Sequence, residues 1–285
     1  RDDLSRADGD RETRMDVIGG LIRVAGEVHP SLGARLTWIR EKRRGDVALP
    51  LLEALVGRGD LVVDIGANWG FFTYHLARLV GRTGRVHAIE PDPAHLPSLR
   101  AIQRGRPQVT IHPVGLSDRE DAAELHVPVL AGERLGALAS LAIPAERAGL
   151  EHDHVPVRLT RLDALLPGDA PVEFVKCDVE GHEPAVLRGA EAILGRRRPP
   201  LLIEIEQRHQ AGDIRRTFAH LEALGYAGYY LRADGLRPLA EFDLARDQLA
   251  HLTGTFVPVV MPAGYVHDFL FAPPDRDVRG LLAPP

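Results

Sequence analysis

Cysteine is all but missing from this chain, with one residue, Cys177, among 285. That excludes an intrachain disulfide framework. Long apolar runs are missing too, since none reaches the roughly 18 residues that would suggest a membrane span. Arg1 to Arg14 are dense in charge and lack the basic and apolar regions of a secretory signal, although the chain opens without Met. A soluble, cytoplasmic protein is the expectation. The chain also lacks an excess of positive charge. Its formal net charge is −5, whereas binding a phosphate backbone by counterion release calls for a basic surface. Nucleic acid and membrane are therefore disfavoured as partners, and a small molecule is favoured. Composition leaves the oligomeric state open, a homodimer included. Lysine is the last scarcity: of 35 basic residues only Lys42 and Lys176 are lysines, so arginine serves almost wherever a cation is wanted.

The pattern along the chain divides it. From Met15 to Gly57 apolar residues such as Val17, Ile18, Leu21 and Ile22 recur at helical spacing, which predicts a helical extension over 1–56 that serves as a packed layer or as a lid. From 57 to 285 short apolar runs alternate with helices, the pattern of a parallel sheet with crossovers. Strands are expected at Leu61–Ile65, Arg85–Ile89, Val109–Val114, Val172–Asp178 and Leu201–Ile205, which makes a doubly wound α/β sheet. Helices are expected over Trp69–Val80, Glu183–Leu194 and Ile214–Leu224, ended by Gly81, Gly195 and Gly225 as left-handed caps, with Asp213 as an N-cap. A segment at about 120–160 reads as an insertion with a hairpin of Glu124–Val129 and Val155–Leu159. Tyr229–Arg232 and Val266–Phe271 are expected to finish the sheet as an antiparallel pair. Arg196–Arg198 and Arg40–Arg44 read as solvated helix ends.

Chemistry begins where the first strand ends. Val62-Val63-Asp64-Ile65-Gly66-Ala67-Asn68-Trp69-Gly70 is an apolar strand closed by an acid and turned by two glycines into a helix. Such a turn lies at the carboxyl end of a strand, where open α/β sheets bind ligands, and its glycines admit close backbone approach. The spacing is Gly-x-x-x-Gly. It is not the Gly-x-Gly-x-x-Gly that cradles a pyrophosphate, and it suits an adenosyl ligand with a sulfonium, whose positive charge Asp64 complements. Glu90 ends the next strand, some 26 residues on, where a carboxylate can accept the ribose hydroxyls of such a ligand.

These residues resemble the FkbM-type methyltransferases. Asp64 to Gly70 looks like the family's first motif, Glu90-Pro91-Asp92 its second, and Gly115-Leu116-Ser117-Asp118 the turn after its third strand. Lys176-Cys177-Asp178-Val179-Glu180-Gly181 resembles its Lys-x-Asp-Val-Glu-Gly signature, followed by the helix of Glu183, Val186, Leu187 and Gly189 and by Leu202-Ile203-Glu204-Ile205-Glu206. Asp268-Phe269-Leu270-Phe271 resembles its closing strand. The likeness runs from about Leu51 to Pro273. It implies S-adenosylmethionine as methyl donor, S-adenosylhomocysteine as product, and methyl transfer usually to oxygen, often on sugars or other small metabolites. Carried onto this chain, it implies a cofactor site of Asp64, Gly66, Asn68, Gly70, Phe71, Thr73, Glu90, Pro91, Ser117 and Asp178. Two positions depart from the pattern: Cys177 replaces an aliphatic residue and His182 a small one.

On a strand Lys176, Asp178 and Glu180 share one face and Cys177 the other. Three ionisable groups on one face are costly unless paired or used, so Lys176 and Asp178 are either a structural ion pair or substrate contacts, while Cys177 reads as a small buried hydrophobe. Methylating a hydroxyl needs alignment and a proton acceptor. Asp178 ranks first, then His182, then Glu206, with Lys176 beside them and His209 just past the fifth strand. A second mechanism would place Mg²⁺ on Asp178 and Glu206. His152 and His154 have a metal-like spacing, yet with no third ligand nearby they read as an exposed turn. Two rival classes share parts of this pattern: a nicotinamide-dependent oxidoreductase and a non-catalytic cofactor-binding module.

Overall fold

The computed structural model describes residues 48–252, 262 and 264–278, together with positions 33, 36 and 37. The stretch 15–32, which carries the helical periodicity, and Arg40 to Arg44 lie outside the described residues. Helix α1 (Ala48–Leu55) precedes β1 (Leu61–Ile65), α2 (Phe71–Val80), β2 (Arg85–Ile89), α3 (Leu96–Gly105) and β3 (Val109–His112). A second group of strands follows: β4 (Gly115–Leu116), β5 (Asp121–Leu130), β6 (Glu133–Arg134) and β7 (Glu151–Thr160). The chain returns through α4 (Leu162–Leu165) to β8 (Val172–Cys177), α5 (Glu183–Arg188), α6 (Glu191–Arg197) and β9 (Leu201–Glu204). It closes with α7 (Arg215–Ala223), β10 (Ala227–Arg232), β11 (Gly235–Pro238), α8 (Leu244–Asp247) and β12 (Asp268–Ala272). No helix among the described residues is long and apolar enough to cross a membrane.

The main sheet has the order β11-β10-β12-β9-β8-β1-β2-β3. Strands β3, β2, β1, β8 and β9 are parallel, and β12 runs antiparallel between β9 and β10. The late strands do form an antiparallel pair, Tyr229 facing Leu270, but β12 is slotted inside the sheet and does not extend it outward. Burial on both faces explains the near-continuous apolar strands. Val62 and Phe174 join Leu51, Leu52, Leu76 and Leu99 in one layer. Val63, Val175, Cys177 and Ile203 join Val186, Ile193, Phe218 and Phe269 in the other. Burial pushes the Cys177 thiol well up, which keeps it an inert hydrophobe. Because the chain crosses from β3 to β8, on the far side of β1, the sheet has its switch point between β1 and β8, and that is where such folds open a crevice at their carboxyl edge.

Three elements differ from their expected form. The strand expected over 109–114 stops at His112, where Pro113 has no amide for the ladder, and Gly115–Leu116 joins the second sheet beside β7. The helix expected over Glu183–Leu194 breaks into α5 and α6. Asp163, distant in sequence, caps the restart by accepting the amides of Ala192 and Ile193 at 2.9 and 3.1 Å. Gly195 lies within α6, and Arg198 (φ 46°) takes the left-handed cap instead. Gly81 and Gly225 do adopt positive φ, and the Asp213 carboxylate accepts the Arg215 amide at the start of α7. The inserted segment is a four-stranded sheet of order β4-β7-β5-β6, in which β5 and β7 pair antiparallel from Asp121–Leu159 to Val129–Glu151.

Candidate active site

The switch point holds an open cleft at the carboxyl edge of the main sheet. Its floor comes from the strand ends of the main sheet: Gly66 and Asn68 after β1, Glu90 and Pro91 after β2, and Asp178, Val179 and Glu180 after β8. Its wall comes from the inserted segment, through Leu125 of β5 and the loop residues Gly136, Ala137, Ala139, Ser140 and Leu141. Gly115, Leu116 and His182 complete the lining.

Glu90 is the most firmly placed acid in the cleft. Its Oε2 accepts the Asn68 amide at 2.7 Å and its Oε1 the Asp92 amide at 2.8 Å, so both oxygens are aimed by backbone. Asn68 has φ 52°, a left-handed conformation that Asn tolerates, and this turns its amide toward Glu90. Asp92, fully buried, takes Arg134 of β6 at 3.3 Å and thereby ties the inserted sheet to the β2 end. Gly66 (φ 76°) is required by the chain itself: a Cβ there would lie 1.7 Å from the Asp178 carbonyl oxygen. The close approach expected for a ligand is thus made first by β8.

Other members of the expected cofactor set sit beneath or beside the cleft. Asp64 is completely buried, accepts the Thr73 hydroxyl at 2.6 Å through Oδ2, and its Oδ1 has no hydrogen-bond donor among the described residues. Burial raises its pKa against the pull of Lys176. Gly70 packs against Leu99 and Ile102, and Phe71 against Trp69, Phe72 and His75. Ser117 shares a 3.0 Å contact between its Oγ and His182 Nε2, which joins His182 to the β4 side of the cleft. Burial holds the His182 imidazole below its ordinary pKa, which favours its neutral form.

The signature divides two ways. Lys176 donates to Asp178 Oδ2 at 2.7 Å, its ammonium lies 4.5 Å from the Phe72 ring centre, and Asp64 is its cross-strand neighbour on β1. Burial opposes its charge, but Asp178, Asp64 and Glu204 outweigh that and raise its pKa. A compact ammonium fits here between two carboxylates and a ring. Glu180, expected on the same face, does not follow them. The strand ends at Cys177, and Glu180 is left-handed at φ 53°, which breaks the alternation and sends its carboxylate to Arg147 at 3.1 Å and His209 at 3.0 Å. Gly181 (φ 101°) then passes the His209 carbonyl so closely that a Cβ would sit 2.4 Å from it.

Arg147 had no signal in the sequence, being a lone arginine in an Ala/Gly/Leu-rich loop. It is 4% exposed, donates to the Leu138 carbonyl at 2.7 Å and to His209 Nε2 at 2.7 Å, and clamps the inserted wall onto the β8 end. His209 must be unprotonated at Nε2 to accept that bond, in keeping with burial driving its pKa down to about 3.

Glu206 is not poised as a base. Arg208 holds both its oxygens, at 2.8 and 2.7 Å, and Tyr265 donates to Oε2 at 2.5 Å. Despite burial these partners hold the carboxyl below its usual range. Glu204, two residues earlier, is the acid adjoining the β8 end, beside His267 (3.4 Å) and Asp268. Among the described residues, ligand-type side chains converge in threes at Glu204–His267–Asp268 and at Glu124–His126–His154. Neither group contains Asp178 or Glu206, so Mg²⁺ on that pair finds no support. Nor do His152 and His154 form a turn; both lie within β7.

The family profile described as Methyltransferase FkbM domain matches residues 64–229. Among solved structures, the chain is similar to a methyltransferase FkbM from Methylobacillus flagellatus KT, at 16% identity over 85% of this chain and 53% of that one, with a TM-score of 0.46. The chain thus spans about half the length of that relative. It is also similar to an O-methyltransferase from Bacillus cereus in complex with SAH (16% identity, 81% and 80% covered, TM-score 0.43). A third is the Aeropyrum pernix fibrillarin with natively bound S-adenosyl-L-methionine (16% identity, 79% and 73% covered, TM-score 0.43). No curated protein matches the chain.

Proposed function

The chain belongs to the FkbM methyltransferase family, and from that premise we propose that its cleft binds S-adenosylmethionine and that the enzyme methylates a hydroxyl of a small metabolite or sugar-containing natural product. The observation that carries this reading is Glu90. A carboxylate whose two oxygens are each fixed by a backbone amide, at the end of β2 next to β1, suits the paired hydroxyls of a ribose. The remaining residues fit the same ligand: Pro91, Leu116, Leu125 and Leu141 offer apolar surface for a base, and Asp178 offers negative charge for a cationic sulfur. Asp64 lies buried below them, its Oδ1 with no hydrogen-bond donor among the described residues.

Bound S-adenosylmethionine supplies an electrophilic methyl group. The chain supplies position and a proton acceptor. Lys176 occupies Asp178 Oδ2, which orients the carboxylate and leaves Oδ1 to take the hydroxyl proton. His182, bonded to Ser117, lines the same cleft and is the second candidate for contact with the acceptor. A net charge of −5 favours a small acceptor over nucleic acid, and a cytoplasmic setting suits the donor.

The test is incubation of the purified chain with methyl-labelled S-adenosylmethionine and a panel of hydroxylated metabolites. Label on an acceptor oxygen supports the proposal. Label on nitrogen overturns the oxygen assignment, and consumption of NAD in place of S-adenosylmethionine overturns the whole reading.

A further inference from the structure

The outward face of the inserted sheet carries a second cluster of chemistry. Inward-facing Leu125, Val127, Val157 and Leu159 form its small core. Alternation therefore sends Glu124 and His126 of β5, and His154 of β7, to the opposite face. Register makes His126 and His154 direct partners across the two strands. The backbone adds a constraint. The N–H and C=O of His126 both bond to Ser140, at 2.8 and 3.1 Å, and so both point away from β7. His126 and His154 are consequently a non-hydrogen-bonded pair, the kind in which facing side chains come closest.

Three ligand atoms converge there. The two Nδ1 atoms are 3.2 Å apart, the rings stand at 88°, Glu124 Oε2 is 3.5 Å from His154 Nδ1, and all three donor atoms lie within 4.8 Å of one another. Two imidazoles bound tetrahedrally to zinc at about 2.0–2.1 Å have their nitrogens about 3.3–3.4 Å apart. The observed separation lies within about 0.2 Å of that span, so little movement is needed to admit the ion. We infer that Glu124, His126 and His154 form a binding site for Zn²⁺ or a similar imidazole-seeking transition metal, completed by water. Two neutral imidazoles with one carboxylate favour Zn²⁺ over Mg²⁺, which prefers an all-oxygen, largely hydrated shell.

The site is separate from the proposed chemistry but joined to the cleft wall. It pins β5 to β7, and through His126 it holds Ser140, which lines the cleft. Its role is that of a staple across the inserted sheet. The competing account is a shared proton between the two histidines, with Glu124 as a surface ion pair.

Calorimetric titration of the tag-free, chelator-treated chain with Zn²⁺ separates the two. The inference expects one equivalent bound, a higher thermal midpoint with zinc, and affinity lowered about ten-fold or more in His126→Ala and in His154→Ala, with Mg²⁺ producing no binding heat. Both histidines are at the surface of the insertion, so the variants are expected to fold, and their far-UV spectra check it. Failure of the wild-type chain to bind Zn²⁺ would overturn the site, as would unchanged zinc affinity in the double variant His126→Ala/His154→Ala. Equal affinity for Mg²⁺ would overturn the imidazole assignment.

Discussion

Two residues show how closely the proposed site is built into the backbone. Gly66 stands where a Cβ would meet the Asp178 carbonyl at 1.7 Å, and its φ of 76° is unfavourable for any L side chain. Gly66→Val is therefore expected to lower the thermal midpoint sharply or to prevent soluble expression; thermal denaturation reads this, and a wild-type midpoint would show that the β1 and β8 ends can part at little cost. Asp178 has two duties, as partner of buried Lys176 and as proposed base. Asp178→Asn is expected to reduce turnover by roughly two to four orders of magnitude, the usual contribution of a positioned acid or base. It should leave S-adenosylhomocysteine affinity within a few-fold. It should also cost stability, because Lys176 then loses its hydrogen-bonded carboxylate and keeps Asp64, the more distant Glu204 and the Phe72 ring near its charge. Turnover under a saturating acceptor decides the first point, and near-normal turnover places the base elsewhere. Adding Mg²⁺ should leave the wild-type rate unchanged, since among the described residues Asp178 and Glu206 belong to no convergent ligand set.

At the scale of elements, the alternation of β8 was legible in the sequence as far as Cys177, because a buried parallel strand enforces a period of two. It failed at Glu180, where the left-handed turn ends the period. The helix break at Gly189–Ala190 was hidden for a different reason: its cap, Asp163, comes from an element some thirty residues earlier, and local propensity carries no trace of it. Sequence alone gives His154 no third ligand, because its register partner His126 and the nearby Glu124 both lie on another strand. The clamp of Arg147, Glu180 and His209 makes a prediction at this scale. Burial lowers the His209 pKa to about 3, below its ordinary 6.5, so the unfolded chain binds the proton more readily. Stability from this group is complete above about pH 6.5 and is lost as pH falls toward 3. Between pH 7.5 and 5 the loss is on the order of 2 kcal/mol for this group alone. Buried Glu183, raised to about 7, acts in the opposite sense between its ordinary 4.5 and that value, so the comparison must be made against a variant. Denaturant titrations at several pH values should show a shallower acid limb for His209→Gln than for wild type, and parallel limbs would remove His209 from the acid response.

For the whole molecule, one order of elements accounts for both the cleft and its cover. Crossing from β3 to β8 opens the main sheet at its switch point, and the segment spent on that crossing becomes the second sheet that walls the opening. The doubly wound class and the acids at the strand ends were readable from spacing, because each lies within its own motif. The wall was not readable, because Leu125, Ser140 and Leu141 reach the cleft only through pairing between distant segments. The proposed function requires that this cleft hold an adenosyl ligand by Glu90. Calorimetric titration of wild type and Glu90→Ala with S-adenosylhomocysteine, with NAD as the comparison ligand, tests it most directly. One site in wild type, no heat with NAD, and about a ten- to hundred-fold loss in a folded Glu90→Ala are expected, the scale of hydrogen bonds to a charged group. Absence of S-adenosylhomocysteine binding to wild type, or equal affinity in the two proteins, would contradict it.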